Sequence, residues 1–479
     1  MTRSLKFVLM DEISELDSLD LLNIDGSNSG ITLLSNGWQQ QVAAQDAEQL
    51  EEVFTLSIRG TSINYLAENF QALTAKIEQV ENWMRDYGTA RYWVMLVTQL
   101  ENEASERRAQ VLGIAGGEIL IDVNVQANFE ITQYTLTITR TPWWESIAQY
   151  LNTTPGNLSV LGGLAPLDPA NNIVGGDRPA RVVDFSVSPA EAHGLNTLWA
   201  GWKSGLYGDP EAFQPNWDMA DALFTDDDTN TVSDSSARSG SRLECTFATD
   251  ATLITRATCR LGTAVSVSDD WPVQRGTYQV LLRAYVDTAP TVVRARIAFS
   301  WGTGGTLFDP VYRPRQVIKG VYWAYYDMGT IMIPPMRTLA DYVLGNYYIG
   351  VDAERLSGVG NLEMDCLTLI PIEEGAIKLV TRAKNVMPGS TLHVWSDPDD
   401  RLFSNSETGG NIESRGEVTP LRRWELPRTL NNYQPCVVVA ANYIVNVTGT
   451  DEPVNDKDDT LDINCTFATR QRALRGESW

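Results

Sequence analysis

The sequence predicts a mainly β chain with one long N-terminal helix: an α+β domain first, then β-sandwich or jelly-roll domains. Three observations carry this. From Ser62 to Tyr87 the apolar residues Ile63, Leu66, Phe70, Leu73, Ile77, Val80, Met84 and Tyr87 step by three and four, so one side of a helix bears an unbroken apolar stripe. Downstream of residue 150, short alternating runs recur between Gly, Pro, Asn and Ser clusters, the pattern of antiparallel strands joined by turns. The chain has 479 residues, enough for about three domains that each bury a core.

The helix has local start and stop signals. Thr61 or Ser62 can cap its beginning and Gly88 can end it. Its flanks read as strands. Val53–Arg59 alternates, with Phe54, Leu56 and Ile58 on one side. Arg91–Thr98 is a near-continuous apolar run, as expected of a strand covered on both faces. Strand, long helix, strand is therefore the expected plan of residues 1–150. Leu5–Met10, Gly30–Leu34 and Trp38–Val42 are further candidate strands before it, and Val111–Ile114, Glu118–Val125 and Asn128–Arg140 after it. The charged segment Glu101–Arg108 reads as a solvated hairpin tip or loop. Thr141-Pro142-Trp143-Trp144-Glu145 closes the domain, because proline stops a ladder.

Residues 151–215 are rich in Gly, Pro and Asn and read as a connector or as the first part of a galectin-like β-domain completed later. Residues 216–372 read as one sandwich with eight candidate strands. In Gly276–Val286 the residues Tyr278, Val280, Leu282, Ala284 and Val286 share a face, and in Val292–Trp301 so do Val293, Ala295, Ile297, Phe299 and Trp301. Residues 373–479 form a C-terminal β-domain in this reading. The string CTFAT occurs at Cys245–Thr249 and again at Cys465–Thr469, too short a match to establish duplication.

Composition narrows the function. Lys and Arg number 37 against 61 Asp and Glu, a net charge of −24. Such a chain repels phosphate backbones, which argues against nucleic acid as a partner. Cys245, Cys259, Cys366, Cys436 and Cys465 are scattered and form no C-x-x-C, which argues against a disulfide framework or a zinc site. His193 and His393 lie far apart, so a His-based metal site or a Ser-His-Asp triad has little material. The N-terminal stretch lacks the apolar core and cleavage site of a signal peptide, and no window approaches ~20 apolar residues. Synthesis in the cytoplasm without membrane insertion is the expectation.

No motif supplies chemistry. There is no G-x-x-x-x-G-K-[ST], G-x-S-x-G or H-E-x-x-H, and Gly113-Ile114-Ala115-Gly116-Gly117 leads into a strand, not a helix. Asp226-Asp227-Asp228 can bind calcium or be a solvated loop. Asp365, among apolar neighbours, can be a calcium ligand or a hydrogen-bond acceptor in the strand. Val321–Asp327 is dense in aromatic rings. There Trp323 and Tyr325 face one side and Tyr322 and Tyr326 the other, so one pair can meet a sugar ring or a neighbouring subunit while the other packs. Trp323 and Tyr325 are the candidate contact residues; no catalytic residue, cofactor or metal is expected.

A resemblance to a known family adds to this. Leu56–Gly88 (LSIRGTSINYLAENFQALTAKIEQVENWMRDYG), Tyr92–Ile119 (YWVMLVTQLENEASERRAQVLGIAGGEI) and Tyr134–Glu145 (YTLTITRTPWWE) resemble tail proteins of long-tailed bacteriophages, the distal tail protein and its minor-tail relatives. Asn171–Pro189 resembles the segment that follows in that group. Tyr278–Thr288, Met328–Pro335 and Leu362–Gly375 resemble the carbohydrate-binding-like jelly roll that many such proteins carry. The resemblance implies an N-terminal belt domain that forms a ring, usually a hexamer, joining the tail tube to the baseplate hub. It implies a virion protein located at the tail tip, with C-terminal β-domains projecting outward; residues 373–479 have no match in the family, and whether 151–215 and 373–479 form one galectin-like domain with the jelly roll inserted is left open by the sequence. Its partners would be further copies of itself, the tail tube protein, the hub or tail-associated protein, and host-surface glycan. The rival readings are a carbohydrate-binding adhesin, tested on a glycan array, and a glycoside hydrolase, tested by polysaccharide turnover.

Overall fold

The computed structural model describes residues 2–11, 14–22, 30–38, 48–60, 62–87, 92–100, 106–122, 130–151, 158–159, 163–167, 178–189, 194–203, 216–224, 228–237, 239–247, 252–261, 276–303, 306–333, 346–373, 375–380, 389–398, 401–408, 411–414, 417–421, 423–426, 434–445, 451–453 and 460–471.

In the N-terminal part, strand Leu50–Gly60 buries Phe54, Leu56 and Ile58 on one side. Helix α1 (Ile63–Tyr87) follows, with Ser62 Oγ accepting from the Tyr65 amide at 3.5 Å. Its buried residues are Leu73, Ile77, Val80 and Trp83, and Leu66, Phe70 and Met84 pack partly against the same core. Trp83 is a ring that the three-and-four stripe passes over. Strand Trp93–Leu100 is buried on both faces through Thr98. Val94 and Leu96 enter the N-terminal core, whereas Trp93, Met95 and Val97 pack with Val8 and the distant Trp395.

The expected fold class is corrected here. It gave the N-terminus an α+β domain organised around its helix. The described residues are overwhelmingly strand, and α1 is the one α-helix among them. It lies on sheets whose order it does not set. Strands Glu15–Asp20, Thr2–Met10, Trp93–Leu100, Arg107–Asp122 and Trp144–Ser146 pair side by side and continue into strand Thr460–Gln471 at the other end of the sequence. Backbone pairing between strands, not helix packing, fixes that order.

Two smaller corrections follow. Val111–Ile114 and Glu118–Val125 fall in one strand, Arg107–Asp122, which carries Gly113–Gly117 within it; residues 123–125 lie outside the described residues. It also takes in Arg107 and Arg108, expected in a loop, because their segment pairs with Trp93–Leu100. Gly30–Leu34 and Trp38–Val42 are replaced by a single strand, Ile31–Trp38, and residues 39–42 lie outside the described residues.

Beyond Trp144 the chain builds two stacked units. Strands Arg178–Pro189, Ser390–Ser396, Leu402–Thr408 and Thr460–Gln471 lie in one sheet. Strands Gly163–Leu167, Gln434–Val445, Gly194–Trp202, Ala376–Val380 and Glu417–Pro420 lie in a second. Val182, Phe185, Leu198, Trp202, Val438 and Phe467 are among the residues that close the core between them. Within the second sheet Gly194–Trp202 and Ala376–Val380 are direct partners, with Gly201 opposite Ala376. Residues 216–371 therefore enter and leave at adjacent points of one strand pair.

Those residues form their own two-sheet sandwich. One sheet holds Thr229–Ser233, Ser241–Cys245, Leu362–Pro371, Gly276–Val286 and Ala324–Ile333, with Asn216–Asp218 beside Leu362–Pro371. The other holds Ile254–Arg260, Asn346–Ser357, Val292–Thr303 and Thr306–Tyr312, with Gln316–Ile318. Trp199, Val437 and Val439 also join this core, so the sheet that contributes them is covered on both faces. At that contact a Cβ on Gly201 would collide with the Pro371 carbonyl and the Ile370 side chain. Only glycine allows the two units to approach so closely.

Candidate functional site

The two predicted contact residues lie on the sheet nearest this junction. Trp323 is 5 % exposed. Its Nε1 donates to Ser236 Oγ at 3.0 Å, the Arg283 guanidinium lies 4.6 Å from its ring, and the Tyr285 ring meets it edge-on at 4.4 Å. Tyr325 is half-buried, with its ring 6.3 Å from Trp199 of the neighbouring unit. The structure thus uses Trp323 to cover a buried arginine and Tyr325 to bridge two parts of one chain. Arg283 is paired in turn with Asp365, which is fully buried in the central strand. Asp226 and Asp227 lie outside the described residues; the Asp228 carbonyl accepts from the Thr246 amide and Oγ1, both at 2.7 Å.

Exposed rings sit on the opposite sheet instead. Along Val292–Thr303 the predicted face begins in the core at Val293, Ala295 and Ile297 and is nearly closed at Phe299, but Trp301 is 49 % exposed. Trp301 meets Phe308 at 5.0 Å, and Phe299 stacks on Tyr347 at 5.6 Å. Phe308 belongs to Thr306–Tyr312, an edge strand absent from the sequence-based expectation. Its residues alternate poorly, so periodicity offered no signal; the available cue was four aromatic or β-branched residues, Thr306, Phe308, Val311 and Tyr312, among the seven that follow Gly304-Gly305.

On the opposite, outer face of the same sheet, two cross-strand ion pairs form a ladder. Arg294 pairs with Glu354, and Arg296 Nε donates to Asp352 Oδ2 at 2.9 Å. Thr255 Oγ1 donates to Asp352 Oδ1 at 2.8 Å, and the Arg296 guanidinium lies 3.7 Å from the exposed Tyr312 ring. Arg315, also exposed, comes within 3.9 Å of Glu354. A flat ring such as Tyr312 beside paired donors and acceptors can stack on a sugar ring while they bond its hydroxyls.

Among the described residues no group of three or more His, Cys, Asp or Glu is placed to hold a metal ion. His393 Nδ1 lies 3.0 Å from Asp184 Oδ1, and its Nε2 lies 3.9 Å from Glu407 Oε2; His193 lies outside the described residues. Cys245, Cys259, Cys366 and Cys465 are buried. Among the described residues no helix is long and apolar enough to cross a membrane.

No protein-family model matches the chain, and no curated protein matches it. Among solved structures it is similar to a chain of the phage P2 baseplate in its activated conformation with calcium, at 9 % identity and a TM-score of 0.20, over 97 % of this chain and 98 % of that one. It is similar to the phage SPP1 Dit protein, a hub of the adsorption apparatus of phages infecting Gram-positive hosts, at 7 % identity and a TM-score of 0.15, over 75 % and 98 %. It is also similar to the tandem CBM22 domains of Paenibacillus barcinonensis Xyn10C, at 10 % identity and a TM-score of 0.20, over 59 % and 100 %.

Proposed function

We propose that this chain is a structural subunit of a bacteriophage tail tip, resembling the distal tail protein and forming a ring, a hexamer, that joins the tail tube to the baseplate hub. One observation carries the reading. The three N-terminal segments that resemble this family fold into one core. Leu50–Gly60 pairs along its whole length with Glu130–Arg140, Trp93–Leu100 pairs with Arg107–Asp122, and α1 lies against their shared apolar face. The proposed role is mechanical. It rests on buried area and strand pairing between subunits and asks for no catalysis, cofactor or metal. Its partners are further copies of the chain, the tube protein and the hub, and its place is the virion, after synthesis in the host cytoplasm.

Negative-stain imaging with mass photometry, on the protein alone and with tube protein added, tests this. A closed ring with a central channel is expected, and its mass fixes the subunit number. A monomer under both conditions overturns it.

A second reading, contact with host-surface glycan, is favoured by the exposed Tyr312 ring beside the ion-pair ladder and by the exposed Trp301 on the other face of the same sheet. On a glycan array, Trp301→Ala and Tyr312→Ala should lower retention on any glycan bound by about fivefold, since one stacked ring contributes on the order of 1 kcal/mol. Binding unchanged in both variants removes this reading and leaves the ring proposal standing.

A further inference from the structure

The sheet of the insert that carries Trp323 holds a cluster the tail-tip reading does not use. Strand Leu362–Pro371 lies between Ser241–Cys245 and Gly276–Val286, and the register sets Glu363 directly opposite Glu244 on one side and Tyr285 on the other. Arg242 donates from Nε to Glu363 Oε2 at 2.6 Å, pairs with Asp234 Oδ2 at 2.7 Å and comes within 3.7 Å of Glu244 Oε2. Three carboxyls therefore share one guanidinium. Glu363 is fully buried, and its Oε1 is buried without a hydrogen-bond partner. As a carboxylate it leaves that oxygen unsatisfied. As a carboxylic acid it has an O–H to turn toward the Glu244 carboxylate, while Oε2 keeps its bond from Arg242.

The same face holds the groups that this charge must coexist with. Arg283 and Asp365 form the adjacent ion pair, and Asp287 lies just beyond the end of Gly276–Val286. Burial pushes the Tyr285 hydroxyl up to about 12, and the Glu363 charge adds to this. Asp234 is held below its usual range, because bonds from Ser236 and Arg242 outweigh its burial. Burial pushes the Glu363 carboxyl up to about 7; Arg242 opposes this and Glu244 reinforces it.

The hairpin that brings Arg242 and Glu244 also brings a cover. Between Thr229–Ser233 and Ser241–Cys245 the turn places Ser236 over the sheet. Ser236 Oγ accepts from Trp323 Nε1, and its carbonyl lies 3.4 Å from Arg283 NH1. Asp234 Oδ1 holds Ser236 in place by accepting from its amide at 2.8 Å and its hydroxyl at 2.6 Å.

We propose that Glu363 is a proton-operated clasp for this hairpin. With its proton on, it links Ser241–Cys245 to Leu362–Pro371 through Glu244 and Arg242. With its proton off, the negative charges of Asp234, Glu244 and Glu363 crowd one guanidinium, and the hairpin loosens and uncovers Trp323 and Arg283. The direction follows from linkage. The folded value lies above the ordinary carboxylate value of 4.5, so this stabilisation is complete below that value and is lost as pH rises through about 7.

Hydrogen exchange of the full chain at pH 6 and pH 8, corrected for the intrinsic rate, tests the clasp on peptides spanning 229–245. The wild type should lose about tenfold protection there at pH 8, the change that one proton unit corresponds to. Glu363→Gln keeps the neutral shape and a donor, and should be equally protected at both pH values. Glu244→Gln, which removes the opposing charge, should move the wild-type midpoint to lower pH. Infrared difference spectra should show a carboxylic-acid band that titrates near neutral pH and is lost in Glu363→Gln. Protection in the wild type that does not change with pH, or that changes equally in Glu363→Gln, overturns the proposal. If Glu363→Gln fails to fold, an unmoved midpoint in Glu244→Gln does so.

Discussion

At the scale of single residues, buried charge decides more than any motif. Glu145 is buried where the N-terminal part meets the last strand. Its carboxylate accepts from Arg181 Nε and NH2 at 2.9 and 2.7 Å and from Arg470 Nε at 3.0 Å. Arg470 also pairs with Glu425, and Arg181 donates to the Ser396 carbonyl. Burial works against the charge on Glu145, but the two guanidiniums outweigh it and hold the carboxyl below its usual range. A depressed value means stability that is present above the unfolded value and lost as pH falls through the folded one. Glu145→Gln strands buried guanidinium charge and should cost roughly 3–5 kcal/mol near neutral pH. It should also flatten the acid limb of the unfolding profile below about pH 4. Thermal melts across pH check both; a variant that melts with the wild type, with an unchanged acid limb, contradicts this account.

At the scale of elements, α1 shows how an amphipathic stripe becomes stability. Leu73 and Val80 are fully buried in a core that also holds Phe54, Leu56, Tyr134, Leu136 and Ile138 from two paired strands. Leu73→Ala removes a packed side chain and leaves a cavity, so it should lower the stability of the N-terminal part by roughly 2–5 kcal/mol. Calorimetry should show one transition moved to lower temperature while the rest of the trace stays in place. A uniform shift would mean that the continuous sheet through Trp144–Ser146 makes the whole molecule melt together. Strand Val292–Thr303 carries the complementary lesson. Its core-side face keeps its register to the end, but burial falls away from Ile297 through Phe299 to the half-exposed Trp301.

At the scale of the whole molecule, long-range pairing is the dominant feature. Strand Thr460–Gln471 pairs with Arg178–Pro189, with Trp144–Ser146 and with Gln149–Leu151, so the C-terminal strand ties together segments that are far apart in the chain. The sheet containing Gly194–Trp202 has one apolar face on each of two cores: Leu198, Ala200 and Trp202 on one, Trp199 on the other. Assembly into a ring would bring together copies that each carry a net charge of −24. Like-charge repulsion between copies is screened at higher salt, so the ring population should rise with ionic strength up to about 0.3 M. Mass photometry over a salt series reads this, and a ring that dissociates as salt rises would point to ion pairing as its basis instead.

What the sequence determined by itself is local. The three-and-four stripe of α1, the buried run of Trp93–Leu100 and the alternation of Gly276–Val286 follow from side-chain periodicity, which any helix or strand must obey. The tertiary structure decided which faces are covered. Trp323 and Trp301 both lie in aromatic-rich β segments, but a turn lies over one, while the other meets Phe308 and stays half-exposed. Glu363 and Glu244 are two ordinary glutamates until register sets them side by side. Register, sheet order and the meeting of residues hundreds of positions apart depend on burial and pairing summed over the whole chain, and a local window of sequence holds neither sum.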